Sequence, residues 1–362
     1  MKKLLLIFIF FSLTFCDLNN VCLNRENLAV DWYVIFLLPS SISNDNELIY
    51  GYFDETIKNT KYFKYEEKNF PPNLITKNVK NNWKNLNYFF WNDDKTIKDS
   101  SSESSSNSKA HAKGSLIYDK ENGNFLLHSL PRFPTRNEKN EILTELPSNG
   151  GAYGQNFLCI SITKNSAEKI AELLNYINVS INKSVEKDQI NKIPNKWINA
   201  LIQNKMQNNY PKSHNIIIKS KNGIEFEFIG KSGSNKIIPY ETTLRNLYKD
   251  DFYIRTWTRP SLAPSLYDDK YKLINVLDVN YGGYKYGKTK EHSKWAVAKR
   301  QNIVCFGDLN HTESQKDRGG HIVCFKNKQL NYFMKSVIAK LESKEEVLLE
   351  KVRNISKNGD IN

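Results

Sequence analysis

Two of the six histidines in this chain head the same short pattern. His111-Ala-Lys113 and His292-Ser-Lys294 each place an imidazole and an ammonium two residues apart. On extended chain, residues i and i+2 project to one side, so each element can present both groups to one face. Two such faces brought together hold what cleavage of a phosphodiester needs. The lysines bind non-bridging oxygens and stabilise charge in the transition state. One imidazole, neutral, attacks phosphorus and forms a covalent intermediate. The other, protonated, gives its proton to the leaving oxygen and then activates water. Imidazole suits both roles because its unperturbed pKa is about 6.5. A bell-shaped pH profile follows, and nearby lysines lower the histidine pKa values and move the optimum acidic. The lysines already supply positive charge, so the pattern calls for no metal and no cofactor, and no cysteine or histidine spacing typical of zinc occurs.

A lone His-x-Lys recurs by chance in a basic protein, so the elements around each copy matter. Gly114–Tyr118 and Asn124–Leu127 read as strands around a turn at 120–123. Asn302–Phe306 reads as a strand after the second copy. Further strands are expected at Ala29–Leu38, Asn87–Trp91, Gln155–Ile162, Asn215–Ile218, Ile224–Ile229 and Lys272–Val279. Helices are expected over Ser166–Ile177 with Ser166 as cap, Trp197–Met206, Thr242 onward into a strand near Trp257, and Gln329–Val352. Strands and helices alternate, which places the chain in the α/β class. Asp99–Ser108 is Ser-rich with almost no apolar residue and reads as a flexible loop. A faint internal repeat, one His-x-Lys per copy, predicts two halves, 17–185 and 186–362, sharing one site.

Lys2 and Lys3 followed by the apolar run Leu4–Phe15 read as a secretory signal peptide over 1–16, too short to span a bilayer. No second apolar stretch is long enough to cross a membrane, so no membrane insertion is expected, and nothing fixes an oligomeric state. The formal net charge of +13 favours polyanionic partners, nucleic acid first. Abundant Lys and Asn can also reflect genome composition. Beyond Cys16, Cys22, Cys159, Cys305 and Cys324 remain, an even number that suggests disulfides; sequence does not choose among the three pairings. Sequons at Asn178, Asn182, Asn310 and Asn354 fit a secretory route.

Several motifs together resemble the deoxyribonuclease II family. They are Val30-Asp31-Trp32, His111-Ala-Lys113-Gly114, His128-Ser129 with Phe133-Pro134, Tyr153-Gly154-Gln155 with Cys159, His292-Ser-Lys294-Trp295, and Gly307-Asp-Leu-Asn310 with Arg318-Gly-Gly320 and Cys324. The resemblance spans nearly the whole chain after the leader. It implies a phospholipase D-like fold with two pseudo-symmetric α-β-α halves. It also implies metal-independent acid hydrolysis of DNA to 3′-phosphate and 5′-hydroxyl ends, in lysosomes or outside the cell. Carried over, His111 and His292 are the catalytic pair and Lys113 and Lys294 the phosphate binders. His128 and Asn310 are supporting members; a glycan on Asn310 would block the site. The chain departs from the family in lacking a lysine before Leu38-Pro39, in carrying His321 where a third glycine is usual, and in lacking a further cysteine pair.

Competing signals remain. Gly282–Thr289 fits the phosphate-loop pattern, but that loop needs a helix from Lys288 and cytosolic nucleotide. We read it as a Gly-rich basic loop whose Lys285 and Lys288 touch DNA. Trp295 and Tyr281, Tyr284 and Tyr286 could stack on bases, or be half-buried packing residues. His214 and His311 read as surface residues, and Asp31 as a structural strand start. A silent DNA-binding protein on the same fold, or a phosphodiesterase acting on lipid or single strands, are the alternative functions.

Overall fold

Trp32-Tyr-Val-Ile-Phe-Leu37 is apolar at every position, and a strand of that composition must be covered on both faces. The computed structural model describes residues 20–93 except 44, 109–134, 141–184 except 144 and 148, 195–203, 214–258 and 261–350. The expected leader, the Ser-rich stretch and the Asn354 sequon lie outside these residues.

A small ribbon, β1 (Cys22–Leu23) and β2 (Ala29–Val30), leads into the first sheet. That sheet holds β3 (Trp32–Leu37), β4 (Ile49–Asp54), β5 (Lys61–Lys64), β6 (Asn87–Trp91), β7 (Gly114–Tyr118), β8 (Asn122–His128), β9 (Gln155–Thr163) and β10 (Ile181–Ser184). Their spatial order is β10-β6-β7-β8-β9-β3-β4-β5, antiparallel throughout. The second sheet holds β11 (His214–Lys219), β12 (Glu225–Lys231), β13 (Phe252–Arg255), β14 (Leu273–Tyr281), β15 (Tyr284–Gly287), β16 (Trp295–Ala298), β17 (Ile303–Gly307), β18 (Gly320–Lys326) and β19 (Ile338–Leu341). Its order is β11-β12-β18-β17-β16-β13-β14-β15, with β19 on β14. The runs β6-β7-β8-β9 and β13-β16-β17-β18 are both antiparallel, and each His-x-Lys ends one residue before the second strand of its run.

The sheets face each other across one core. Trp32 meets Phe325 at 5.0 Å between ring centroids, Phe36 meets Phe306 at 6.0 Å, and Phe125 meets Phe228 at 5.1 Å. Each such buried ring contributes on the order of 2–3 kcal/mol of burial free energy. The helices are α1 (Pro71–Asn82), α2 (Lys164–Ile177), α3 (Lys196–Gln203), α4 (Arg245–Tyr248) and α5 (Lys328–Ser336), with a further helical stretch over 344–350. The class is thus mixed α/β, but the strands run mostly in hairpins rather than alternating with helices. The α2 helix buries Ile170, Leu173, Leu174 and Ile177 and packs against strands of both sheets. Its cap is Thr163, whose hydroxyl accepts from the Ser166 amide, three residues before the expected one. The expected helix from Gln329 is interrupted after Ser336, because Ile338–Leu341 instead pairs with β14, and the chain is helical again over 344–350. Asp31 is structural, as read: its carboxylate accepts from Ser220 Oγ at 2.6 Å and the Asn222 amide at 2.9 Å, tying β3 to the β11–β12 hairpin.

The disulfides are Cys22–Cys159 and Cys305–Cys324. The first fastens the N-terminal ribbon to β9 across 137 residues, and a loop that long loses much unfolded-state entropy when closed. The phosphate-loop pattern forms no phosphate loop. Gly282 and Gly283 make a hairpin tip at positive φ, Tyr284–Gly287 is a strand, and Lys288–Lys290 is a single tight turn. Among the described residues no helix is long and apolar enough to cross a membrane.

Candidate active site

Each His-x-Lys is seated by residues that border the opposite sheet. The His111 amide donates to the Gly319 carbonyl at 2.9 Å, and its Nδ1 lies 2.8 Å from the Asp308 carbonyl oxygen. Both partners border strands of the second sheet, β18 and β17. Reciprocally, the His292 amide donates to the Gly154 carbonyl at 2.8 Å, and the Lys294 amide to Asn156 Oδ1 at 2.8 Å. Close backbone approach is required at both seats. A Cβ on Gly319 would lie 1.9 Å from the Ile177 carbonyl oxygen; one on Gly154 would lie 2.5 Å from Glu291 Oε1. Glu291 is itself fully buried, paired with buried Arg255 at 3.1 Å, and accepts the Ser293 amide. The loop presenting His292 is therefore anchored from below.

The surroundings of the two histidines differ. A carbonyl can only accept, so His111 Nδ1 carries the proton and donates it to Asp308. Nε2 is then the lone-pair nitrogen. It sits 3.6 Å from Asp93 Oδ2, beside Lys113, which pairs with Asp93 Oδ1, and Arg318 Nη2, 3.1 Å from Asp93 Oδ2. Arg318 is held by donating to the Lys109 and Ala110 carbonyls. Burial, with Lys113, Lys294 and Arg318 opposed by Asp93, pushes the His111 pKa down to about 3. Burial alone would raise the Asp93 carboxyl, but Lys113, His111 and Arg318 hold it well below the usual carboxylate range.

His292 lies instead between two half-buried aromatic rings. Tyr153 stacks on it at 4.2 Å with planes 6° apart, and Trp257 approaches at 4.4 Å. Lys294 is buried, donates from Nζ to the His292 carbonyl at 2.7 Å, and lies within charge reach of Lys113, Asp93 and Asp308. Burial first, and then Lys113, lowers its pKa to about 7. Lys294 thus comes within charge reach of Lys113 and His111, which brings the two His-x-Lys elements together at their lysines.

His128 is buried between Phe133 and Phe157, and its amide donates to the Lys113 carbonyl. Burial and then Lys113 lower its pKa to about 3, so it packs as a neutral ring behind Lys113. Asn310 is buried, and its Oδ1 has no hydrogen-bond partner among the described residues. A glycan there has no room. Lys285 is exposed on β15, and Lys288 is partly exposed on the turn toward His292.

Three expectations are corrected. Trp295 is fully buried in β16: strand alternation turns it away from the face that Lys294 occupies, so it cannot stack on a base. Tyr281 and Tyr286 are buried likewise. His311 is not at the surface but fully buried, with Nδ1 2.9 Å from Asn275 Oδ1 and Nε2 2.8 Å from Glu241 Oε1. His321, at the glycine position, is also fully buried and pairs with the Asp308 carboxylate, directly under the carbonyl that receives His111. Asp93 and Trp257 escaped the sequence reading; the signal for Asp93 was its place just after the apolar run Asn87–Trp91. Among the described residues no cluster of three or more His, Cys, Asp or Glu could hold a metal ion.

The His111 imidazole and the cations of Lys113, Lys294 and Arg318 lie within charge reach of one another, a set of groups suited to holding a phosphate. The model of the deoxyribonuclease II family matches residues 21–344, and the chain belongs to that family. It is 28% identical to deoxyribonuclease-2-alpha of Mus musculus over 84% of this chain and 87% of the relative. It is 28% identical to plancitoxin-1 of Acanthaster planci over 89% and 91%, and 27% identical to cell-death-related nuclease 7 of Caenorhabditis elegans over 92% and 90%.

Proposed function

We propose that the reaction of this family member, acid hydrolysis of DNA, runs without a metal through a phosphohistidine on His111. The observation that carries this is the His111 Nδ1 hydrogen bond to the Asp308 carbonyl, which leaves the Nε2 lone pair facing the carboxylate position that Lys113 and Arg318 bind. Nε2 attacks phosphorus and the bond to the 5′ oxygen breaks. His292, as imidazolium, gives that oxygen its proton. Water then attacks phosphorus, giving its proton to His292, and the N–P bond breaks. The products are 3′-phosphate and 5′-hydroxyl ends. The rings of Tyr153 and Trp257 pack on both sides of the His292 imidazole and hold it toward the leaving oxygen. Lys113, Lys294 and Arg318 hold the non-bridging oxygens, with Asn310 beside them and His128 supporting Lys113.

Lys294 explains the acid preference. Its ammonium is complete below about pH 7 and is lost as pH rises through that value, so phosphate binding weakens toward alkali. His111 stays neutral at any pH well above about 3.

The fold is read as phospholipase D-like, with pseudo-symmetric halves at 17–185 and 186–362; the shared strand runs and reciprocal seating support this. Duplex DNA is the proposed substrate, with Lys285 and Lys288 following its backbone. Two disulfides and the leader-like N-terminus support a secretory route to an acidic compartment or the exterior. The test is cutting at acid pH in EDTA, with end-group analysis and phosphohistidine mapping. A phosphoryl group on the His111 peptide is expected; EDTA inactivation or 5′-phosphate ends would overturn the reading.

A further inference from the structure

Asp93 occupies the place where a substrate phosphate would go. Its Oδ1 meets the Lys113 ammonium, and its Oδ2 lies 3.1 Å from Arg318 Nη2 and 3.6 Å from His111 Nε2. These are the groups that the preceding reading gives to the two non-bridging oxygens and to the attack on phosphorus. A carboxylate spanning them and a phosphate spanning them exclude each other. Lys113 is almost fully buried, so little of its ammonium is left for a second anion.

The carboxylate is tethered closely. The Asn92 amide donates to the Ser180 carbonyl at 3.3 Å, and its side chain donates to the Leu130 and Phe133 carbonyls at 3.4 and 3.2 Å. The chain is therefore pinned up to the residue before Asp93. A displaced Asp93 stays beside the seat at high effective concentration. The seat also needs an anion when empty of substrate, because Asp93 is the only carboxylate that pairs with Lys113 and Arg318 among the described residues.

Resting on the shared-site reading above, we infer that Asp93 is an internal stand-in for the scissile phosphate, which DNA must displace and which returns to expel the 3′-phosphate product. Diester and carboxylate each carry one negative charge, so entry exchanges like for like. A terminal phosphate carries up to two, and the displaced Asp93 beside it opposes the second. Asp93 thereby sets substrate affinity and favours release of product over retention.

The experiment compares wild type with Asp93→Asn at acid pH, measuring KM on DNA and inhibition by inorganic phosphate and by a 3′-phosphorylated oligonucleotide. Occupancy of the seat by Asp93 for nine-tenths of the time would weaken apparent affinity about tenfold. Asp93→Asn is accordingly expected to lower KM and both inhibition constants by about fivefold to tenfold. Phosphate should also raise the Tm of the variant more than that of wild type. A merely structural ion pair would not tighten phosphate inhibition, so unchanged or weaker inhibition overturns the inference. If Asp93→Asn does not fold, the wild type bound to the 3′-phosphorylated oligonucleotide decides. Phosphate on Lys113 and Arg318 with Asp93 swung aside supports the inference; Asp93 still seated there overturns it. Full activity in His111→Ala would instead overturn the shared-site reading. Loss of activity in that variant, together with unaltered phosphate inhibition in Asp93→Asn, rejects the role of Asp93 alone.

Discussion

His111 and His292 share one pattern and occupy opposite environments. His111 is enclosed by ionic groups, its Nδ1 committed to a backbone carbonyl and its charged form suppressed by burial and neighbouring cations. His292 is flanked by two aromatic faces and anchored through its main chain to Gly154. An identical dipeptide spacing therefore does not imply an identical job. Aromatic packing fixes the ring at one position, and burial with neighbouring cations favours a neutral base at the other.

The largest expected break is His111→Ala, which removes the nucleophile. Activity should fall by about 10⁴-fold or more with no phosphohistidine formed, as measured by single-turnover DNA cleavage. His292→Ala should cut phosphoryl transfer to DNA by about 10²–10⁴-fold, the contribution of a general acid. It should do so far less for a substrate whose leaving group needs no proton, such as a nitrophenyl ester. An equal loss on both substrates would contradict the division of labour. Next is Gly154→Ala, whose methyl would collide with Glu291. We expect about 1–3 kcal/mol of lost stability, read by denaturant unfolding, and a fall in kcat from the displaced His292. Lys294→Arg should extend activity to higher pH, because guanidinium stays charged where the buried ammonium loses its proton near 7. An unmoved alkaline limb would remove Lys294 from that role. The smallest effect belongs to Lys285→Gln and Lys288→Gln, each lowering the salt dependence of duplex binding by about one unit of slope or less.

The two His-x-Lys pairs were legible because both chemical types occur in each and strand-like segments follow both. Their convergence was not, since it depends on Gly319 and Asp308 reaching His111, and Gly154 and Asn156 reaching the second pair. Arg318 entered only as part of a motif; its use lies in contacts to residues some two hundred positions earlier. Trp295 follows Lys294 in the chain but faces away from it, since consecutive strand residues point to opposite sides. The polar neighbours of His311 in sequence do not reveal its burial. His311 is buried because Glu241 and Asn275, distant in sequence, satisfy both its nitrogens. The most apolar strands, such as β3, β6 and β9, are legible as apolar runs, whereas β4 and β18 carry glycine, aspartate or histidine among their residues and are not. Where the last helix yields to β19 was hidden, because Ile338–Leu341 fits either state and pairing with β14 decides.

The crossed seating has a consequence for biosynthesis. Synthesis delivers His111 long before Asp308 and Gly319, the residues that orient it. A partly made chain thus carries its nucleophile without the carbonyl that fixes its tautomer and without the arginine beside it. On the mechanism proposed above, cutting ability arrives only when the final strands close onto the first sheet, and completion of folding is then the safety catch on the enzyme.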